Sequence, residues 1–256
     1  MITFSPLKTR RLNITLHEIS AGDAIALCAM RSDMQEASTT ALLQGIITPD
    51  PAPRASQVVN PRAMTVCERA MITAHYIAHV NGESHDFYVG EQGRFSNYIR
   101  DGADYPQERV DVCELGGDFW TARPILGADA EAIERLIVGG RLASSGRAVW
   151  RVAAMAATMS RRGESVPNPL EVSDSEFDDW IESRVRVFMG FPERDFINLL
   201  MEFIEAQQKL DHLLILHIGT DGLVFLPNEG GAGLPPARFP YRSAIDERTE
   251  DIFGKA

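Results

Sequence analysis

Leu12, Ile14 and Leu16 alternate with Asn13, Thr15 and His17, the period-two pattern of a strand with one buried face, and residues 2–19 read as β on that basis. Ser20 or Asp23 then caps a short helix through Met30, with Ile25, Ala26 and Leu27 as its apolar set. Ser32-x-x-Gln35 has capping-box spacing and predicts a second helix to about Ile47. Thr65-x-x-Glu68 repeats that spacing ahead of a helix carrying Met71, Ile72, His75, Tyr76 and His79. Residues 81–106, rich in Gly, Asn and Asp, predict only short elements near 87–89 and 95–99. Residues 109–115 and 119–125 alternate around Gly116-Gly117-Asp118, a hairpin signal. Helical patterns follow at about 128–138, 147–161, 174–189 and 193–210; Ser173-x-x-Glu176 caps the third, and Gly190 and Pro192 separate the last two. A second hairpin is predicted from 213–218 and 223–226 around Thr220-Asp221-Gly222, and a short helix at 244–253. The expected class is α+β: helix-rich, with short antiparallel strands and hairpins.

Pro49, Pro51, Pro53 and Pro61 make residues 48–63 an extended linker or long loop. It divides an N-terminal strand–helix region, 1–47, from a mixed main region, 64–256, with a helical C-terminal half; a single domain overall fits the same pattern. With 45% apolar residues the chain can bury a core without disulfide or metal support. Cys28, Cys67 and Cys113 are widely spaced and read as reduced core thiols. The net charge of −11 is spread along the chain, 11 basic against 15 acidic groups in residues 1–127 and 14 against 21 in 128–256. Such a field opposes binding to nucleic acid or to an anionic membrane. No apolar run approaches the roughly 18 residues of a bilayer span, and no basic-then-apolar leader opens the chain, so the expectation is a cytoplasmic protein without export.

Candidate chemistry centres on His75, His79 and His85. A helix puts the first two one turn apart on one face, and Gly82 lets the chain turn so that His85 can return as a third ligand. This spacing is similar to that of the metzincin zinc proteases, whose glutamate general base follows the first histidine. Here that place is held by Tyr76, which is neutral at pH 7 and no base. The methionine turn of that family has no counterpart either, since Met155 and Met159 lie in a helical pattern. The plainer reading, two histidines on a partly buried helix and one in a polar turn, outweighs the zinc reading on spacing alone. No catalytic, cofactor-binding or metal-ligating residue is therefore assigned, and a zinc-binding or inactive metalloprotease-like protein stands as the alternative. Residues 139–147 lack the Gly-Lys-Ser/Thr ending of a phosphate loop and read as a helix stop and restart. Asp174, Glu176, Asp178 and Asp179 fall in the first turns of a capped helix, where carboxylates favour the dipole. No G-x-S-x-G occurs.

Phe188, Met189, Phe191, Phe196, Leu199, Leu200, Met201, Phe203 and Ile204 crowd around a Gly190-Phe191-Pro192 break. Most belong in a core, and any surplus makes a partner surface. Residues 237–242 combine aromatic anchors, arginines and a proline, which suits docking on a neighbouring subunit or, equally, a strap over the chain's own core. Val58 and Val59 in one segment, and Phe239 and Tyr241 in the other, are the anchors expected to order on assembly. The opening stretch Leu7-Lys8-Thr9-Arg10-Arg11-Leu12-Asn13-Ile14-Thr15-Leu16-His17-Glu18-Ile19-Ser20-Ala21-Gly22-Asp23-Ala24-Ile25-Ala26-Leu27 resembles the start of small tail and baseplate assembly proteins of tailed bacteriophages. In those, a strand ending in a Leu-x-Glu-Leu/Ile-like turn leads directly into a helix, as Leu16-His17-Glu18-Ile19 does here. The resemblance covers the first 30 or so residues. It implies a non-enzymatic virion structural or tail-assembly role, synthesis in the host cytoplasm, a place in the virion tail, and contacts with tape-measure, hub or baseplate subunits or with further copies of the chain.

Overall fold

Leu12, Ile14 and Leu16 are buried in the computed structural model, which describes residues 4, 6–48, 50, 54, 56–82, 84–142, 148–220 and 222–239. Tyr241 and the helix expected at 244–253 lie outside these residues. β1 (Leu7–Lys8) pairs antiparallel with β2 (Asn13–Leu16). Ser20 caps α1 (Ala21–Cys28) by accepting the Asp23 N–H. α2 (Gln35–Ile46) runs straight into β3 (Ile47–Thr48), which closes the small sheet in the order β1-β2-β3. α3 (Val66–Val80) opens on the expected capping box: the Thr65 hydroxyl accepts the Glu68 N–H, and the Glu68 carboxylate accepts the Thr65 N–H. A minimal hairpin of β4 (Tyr88–Val89) and β5 (Gly93–Arg94) leads through a 3₁₀ turn, Phe95–Tyr98, to β6 (Val110–Leu115) and β7 (Asp118–Ala122). Gly116 and Gly117 turn that second hairpin at φ +63° and +85°, a pair of left-handed positions that only glycine fills without strain.

The remainder is mainly helical, with α4 (Gly127–Val138), α5 (Val149–Thr158), β8 (Met159–Arg161), α6 (Asp174–Met189), α7 (Glu193–Leu210) and the hairpin β9 (Ile215–Ile218) and β10 (Leu223–Leu226). Two expectations need correction. The pattern at 147–161 is not helical to its end: 159–161 pair with β7 as the third strand of the sheet β6-β7-β8. Met159, Ser160 and Arg161 lie next to the open edge of β7 and gain ladder hydrogen bonds there, which overrides the helical pattern that precedes them. Nor does Ser32-x-x-Gln35 cap α2. Its N-cap is Met34, with no side-chain bond, and the free N–H groups of Glu36 and Ala37 donate instead to the two carboxylate oxygens of Glu134 in α4, at 2.8 and 3.0 Å.

Two apolar clusters form. The smaller holds Leu12, Ile14, Leu16, Leu27, Leu42, Leu43 and Ile46 from the N-terminal elements, completed by Ile72, Tyr76 and Ile77 of α3. The larger gathers α4 to α7 and the remaining strands, and receives Val66, Cys67, Ala74 and Ala78 from α3. α3 is thus a shared wall, apolar on two faces, as its 3.6-residue period requires. Phe188 and Phe203 lie in the larger cluster, with Trp180, Phe196 and Leu200 packed against it. The strap after β10 turns back on the chain: Phe225 and Ala237 exchange both backbone hydrogen bonds, and the Phe239 ring packs on those of Phe95 and Phe225 at 5.2 and 5.6 Å. Val58, whose N–H donates to the Arg11 carbonyl, packs against the smaller cluster. Through Phe239 the C-terminal segment is a strap over its own core. Among the described residues no helix is long and apolar enough to cross a membrane.

Arg69 of α3 is 1% exposed. Its Nη2 donates to the Glu36 carbonyl at 2.6 Å, and its guanidinium faces the carboxylates of Glu36 at 3.5 Å and Glu131 at 3.9 Å. Glu131 also pairs with Arg62 at 3.1 Å and accepts the Thr40 hydroxyl, so one ionic knot joins α2, α3 and α4. Removing one partner of a buried ionic set strands the others, so Arg69→Ala is expected to cost about 3–5 kcal/mol by denaturant unfolding. Phe203, fully buried, should lose about 3–5 kcal/mol on truncation to Ala, while Phe196, only partly buried, should lose less. Equal melting of both variants and the parent would refute this packing.

Candidate functional site

α3 places His75 and His79 four residues apart on one face at its C-terminal end, both half-buried. The helix stops at Asn81, and Gly82 follows at φ +67°, the left-handed position that commonly ends a helix. The reversal brings exposed His85 back over the last turn, as the spacing predicts. Ring centroids lie 4.6 Å apart for His75–His79, 5.2 Å for His75–His85 and 4.9 Å for His79–His85. One nitrogen of each ring lies within 4.8 Å of one nitrogen of each of the others. Interplanar angles of 83°, 64° and 68° keep the three rings edge-on to one another rather than stacked. Phe4 closes one side, its ring stacked on His79 at 5.0 Å and 3°; the Phe4 N–H is tied to the Leu16 carbonyl. Burial and the neighbouring imidazoles lower the His79 pKa, favouring its neutral form.

Tyr76, at the position of the glutamate base in the metzincin pattern, is 3% exposed and belongs to the smaller cluster. Its hydroxyl accepts the Ile19 N–H at 3.2 Å, so this residue braces the N-terminal region. Three carboxylates of the acidic run at α6 are engaged in ion pairs: Asp174 with Arg62 and Arg135, Asp178 with Arg135, and Asp179 with Arg141. Glycines 139 and 140 end α4, Gly140 at φ +67°, in keeping with a helix stop; residues 143–147 lie outside the described set.

One buried polar group has no obvious sequence signal. His212, 1% exposed, shares a 2.9 Å hydrogen bond between its Nε2 and the Thr65 hydroxyl, next to Asp211 and Cys67. A cysteine, a histidine and an aspartate in proximity invite a nucleophile reading, but the Cys67 thiol donates to the Leu214 carbonyl at 3.6 Å, and burial pushes its pKa well up. A thiol held protonated is a poor nucleophile. Burial lowers His212 to about 4 and raises Asp211 to about 7. The cluster packs; it does not activate a nucleophile.

Comparison of the chain with protein-family models, with curated proteins and with solved structures finds no match.

A buried carboxyl with a raised folded-state pKa contributes stability that is complete below its unfolded value, near 4, and lost as pH rises through about 7. Asp211→Asn removes that titration. The variant should lose less stability than the parent between pH 5 and pH 8, measured by urea unfolding at each pH. An unchanged difference would mean that Asp211 titrates normally.

Proposed function

We propose that the chain is a non-enzymatic tail or baseplate assembly protein of a tailed bacteriophage, acting through contacts with other tail subunits. The observation that carries this reading is the surface of α6 and α7. Val187, Met189, Ile197 and Met201 are each about half exposed, four of the nine large apolar side chains exposed among the described residues, and all fall within residues 187–201. The larger cluster already takes Phe188, Leu199 and Phe203 from the same helices. Of the four exposed side chains, Ile197 and Met201 lie four residues apart on α7 and so share one face, and such an exposed apolar pair suits docking of an apolar helix. The occupant in this reading is another tail subunit, a tape-measure, hub or baseplate protein, with self-association as the other outcome. The strand-to-helix opening at residues 7–27 supports the same reading through its resemblance to tail assembly proteins.

Co-expression with tape-measure, hub and baseplate subunits of tailed bacteriophages tests it. The parent should co-purify with one of them, and Ile197→Asp combined with Met201→Asp should abolish that complex without lowering the melting temperature, since both side chains are exposed. Failure of the parent to form any such complex, or a complex indifferent to both substitutions, would overturn the proposal.

A further inference from the structure

Three imidazoles from one helix end and the turn after it do not converge without constraint. An equilateral triangle 4.8 Å on a side has its centre about 2.8 Å from each corner, and 4.8 Å is the largest separation in the set. Bonds of about 2.0–2.1 Å from zinc to imidazole nitrogen require the corners to close to roughly 3.4 Å. Small rotations of side chains that are half-buried or exposed can supply that closure, with no movement of α3. The steep interplanar angles match the requirement that each ring point a nitrogen at a common centre, which stacked rings cannot do.

We propose that His75, His79 and His85 form a site for one divalent transition-metal ion of the zinc type. Among the described residues the donor set is three imidazole nitrogens, which suits Zn²⁺ and its first-row neighbours better than the oxygen-preferring Ca²⁺ and Mg²⁺. Three protein ligands leave a fourth position for water, and the exposure of His85 lets the ion enter from solvent. Phe4 stacks on His79 from the N-terminal side, so the ion would tie the turn after Gly82 to a helix end already braced by residues 4 and 16. With Tyr76 turned into the core, the residue next to His75 offers no base for zinc-bound water, and the role assigned to the ion is a structural clip. This inference is independent of the assembly reading, because it uses no residue of α6 or α7.

The test uses the untagged full chain, stripped with a chelator. Isothermal titration with Zn²⁺ should give one ion per chain, the melting temperature should rise at saturating Zn²⁺, and Co²⁺ should develop the intense visible absorption of a four-coordinate ion. His85→Ala, at an exposed turn position, should leave the metal-free circular dichroism unchanged and weaken Zn²⁺ binding by more than about 100-fold, beyond the roughly 10–100-fold loss usual for outer-sphere partners. His75→Ala should weaken it similarly, which guards against a local effect of the first variant. No saturable Zn²⁺ binding by the parent, or equal affinity in parent and variants, would overturn the proposal.

Discussion

The guanidinium of Arg69 is buried against α2 and α4, and the arrangement of α2, α3 and α4 depends on how its charge is met. A lone cation in such a place would cost several kcal/mol, so it must be compensated by geometry. The compensation comes from the Glu36 carbonyl and the carboxylates of Glu36 and Glu131; Thr40 donates to the same Glu131 oxygen that faces Arg69, and Arg62 takes the other. The fit is close enough to dictate a neighbouring residue. At Gly127, the first residue of α4, a Cβ would sit 2.1 Å from Arg69 Nη1 and 2.7 Å from the Pro61 carbonyl. Only glycine lets α4 start there.

With α3 pinned in this way, its two apolar faces can serve two clusters at once. Ile72, Tyr76 and Ile77 complete the core of the N-terminal elements; Val66, Cys67, Ala74 and Ala78 enter the larger one. The histidine face, at the C-terminal end of the same helix, is covered on one side by Phe4, which comes from before β1. The position of the imidazole cluster therefore follows from the same anchoring that joins the two cores. The exposed apolar side chains of α6 and α7 are on helices that α3 does not control, and a docking surface and a metal clip can coexist without sharing residues.

Buried arginine recurs. Arg184 of α6 reaches the Met159 carbonyl at 3.2 Å, pairs with Glu164, and lies over the rings of Trp120, Trp180 and Phe188 at 5.0–5.8 Å. Its planar cation can both pair with a carboxylate and stack on aromatic faces, which an ammonium group does less well. Most of the chain's cationic side chains are arginines, and at these two sites the guanidinium holds helices together from within.

Features whose physics is local could be read from the residues in order. The Thr65–Glu68 box and the Ser173 cap form because their partners lie three residues away, and Gly116-Gly117 turns its hairpin because few other residues tolerate two left-handed positions. The α+β class follows from apolar period, and the limits of α6 and α7 from that period together with the Ser173 cap and the Gly190 and Pro192 break. What depends on residues distant in the chain was not legible. α2 is capped by Glu134, about a hundred residues further on; β8 exists because β7 offers an open edge; and Arg69 looks like any solvent-facing helix residue until Glu131 is brought beside it. The histidines lie between these cases. Helical period and Gly82 placed three imidazoles in one neighbourhood, but a backbone pattern carries no information on ring orientation. Convergence of their nitrogens was decided by the tertiary packing of Phe4 and the returning turn, because side-chain torsions are set by whatever surrounds them.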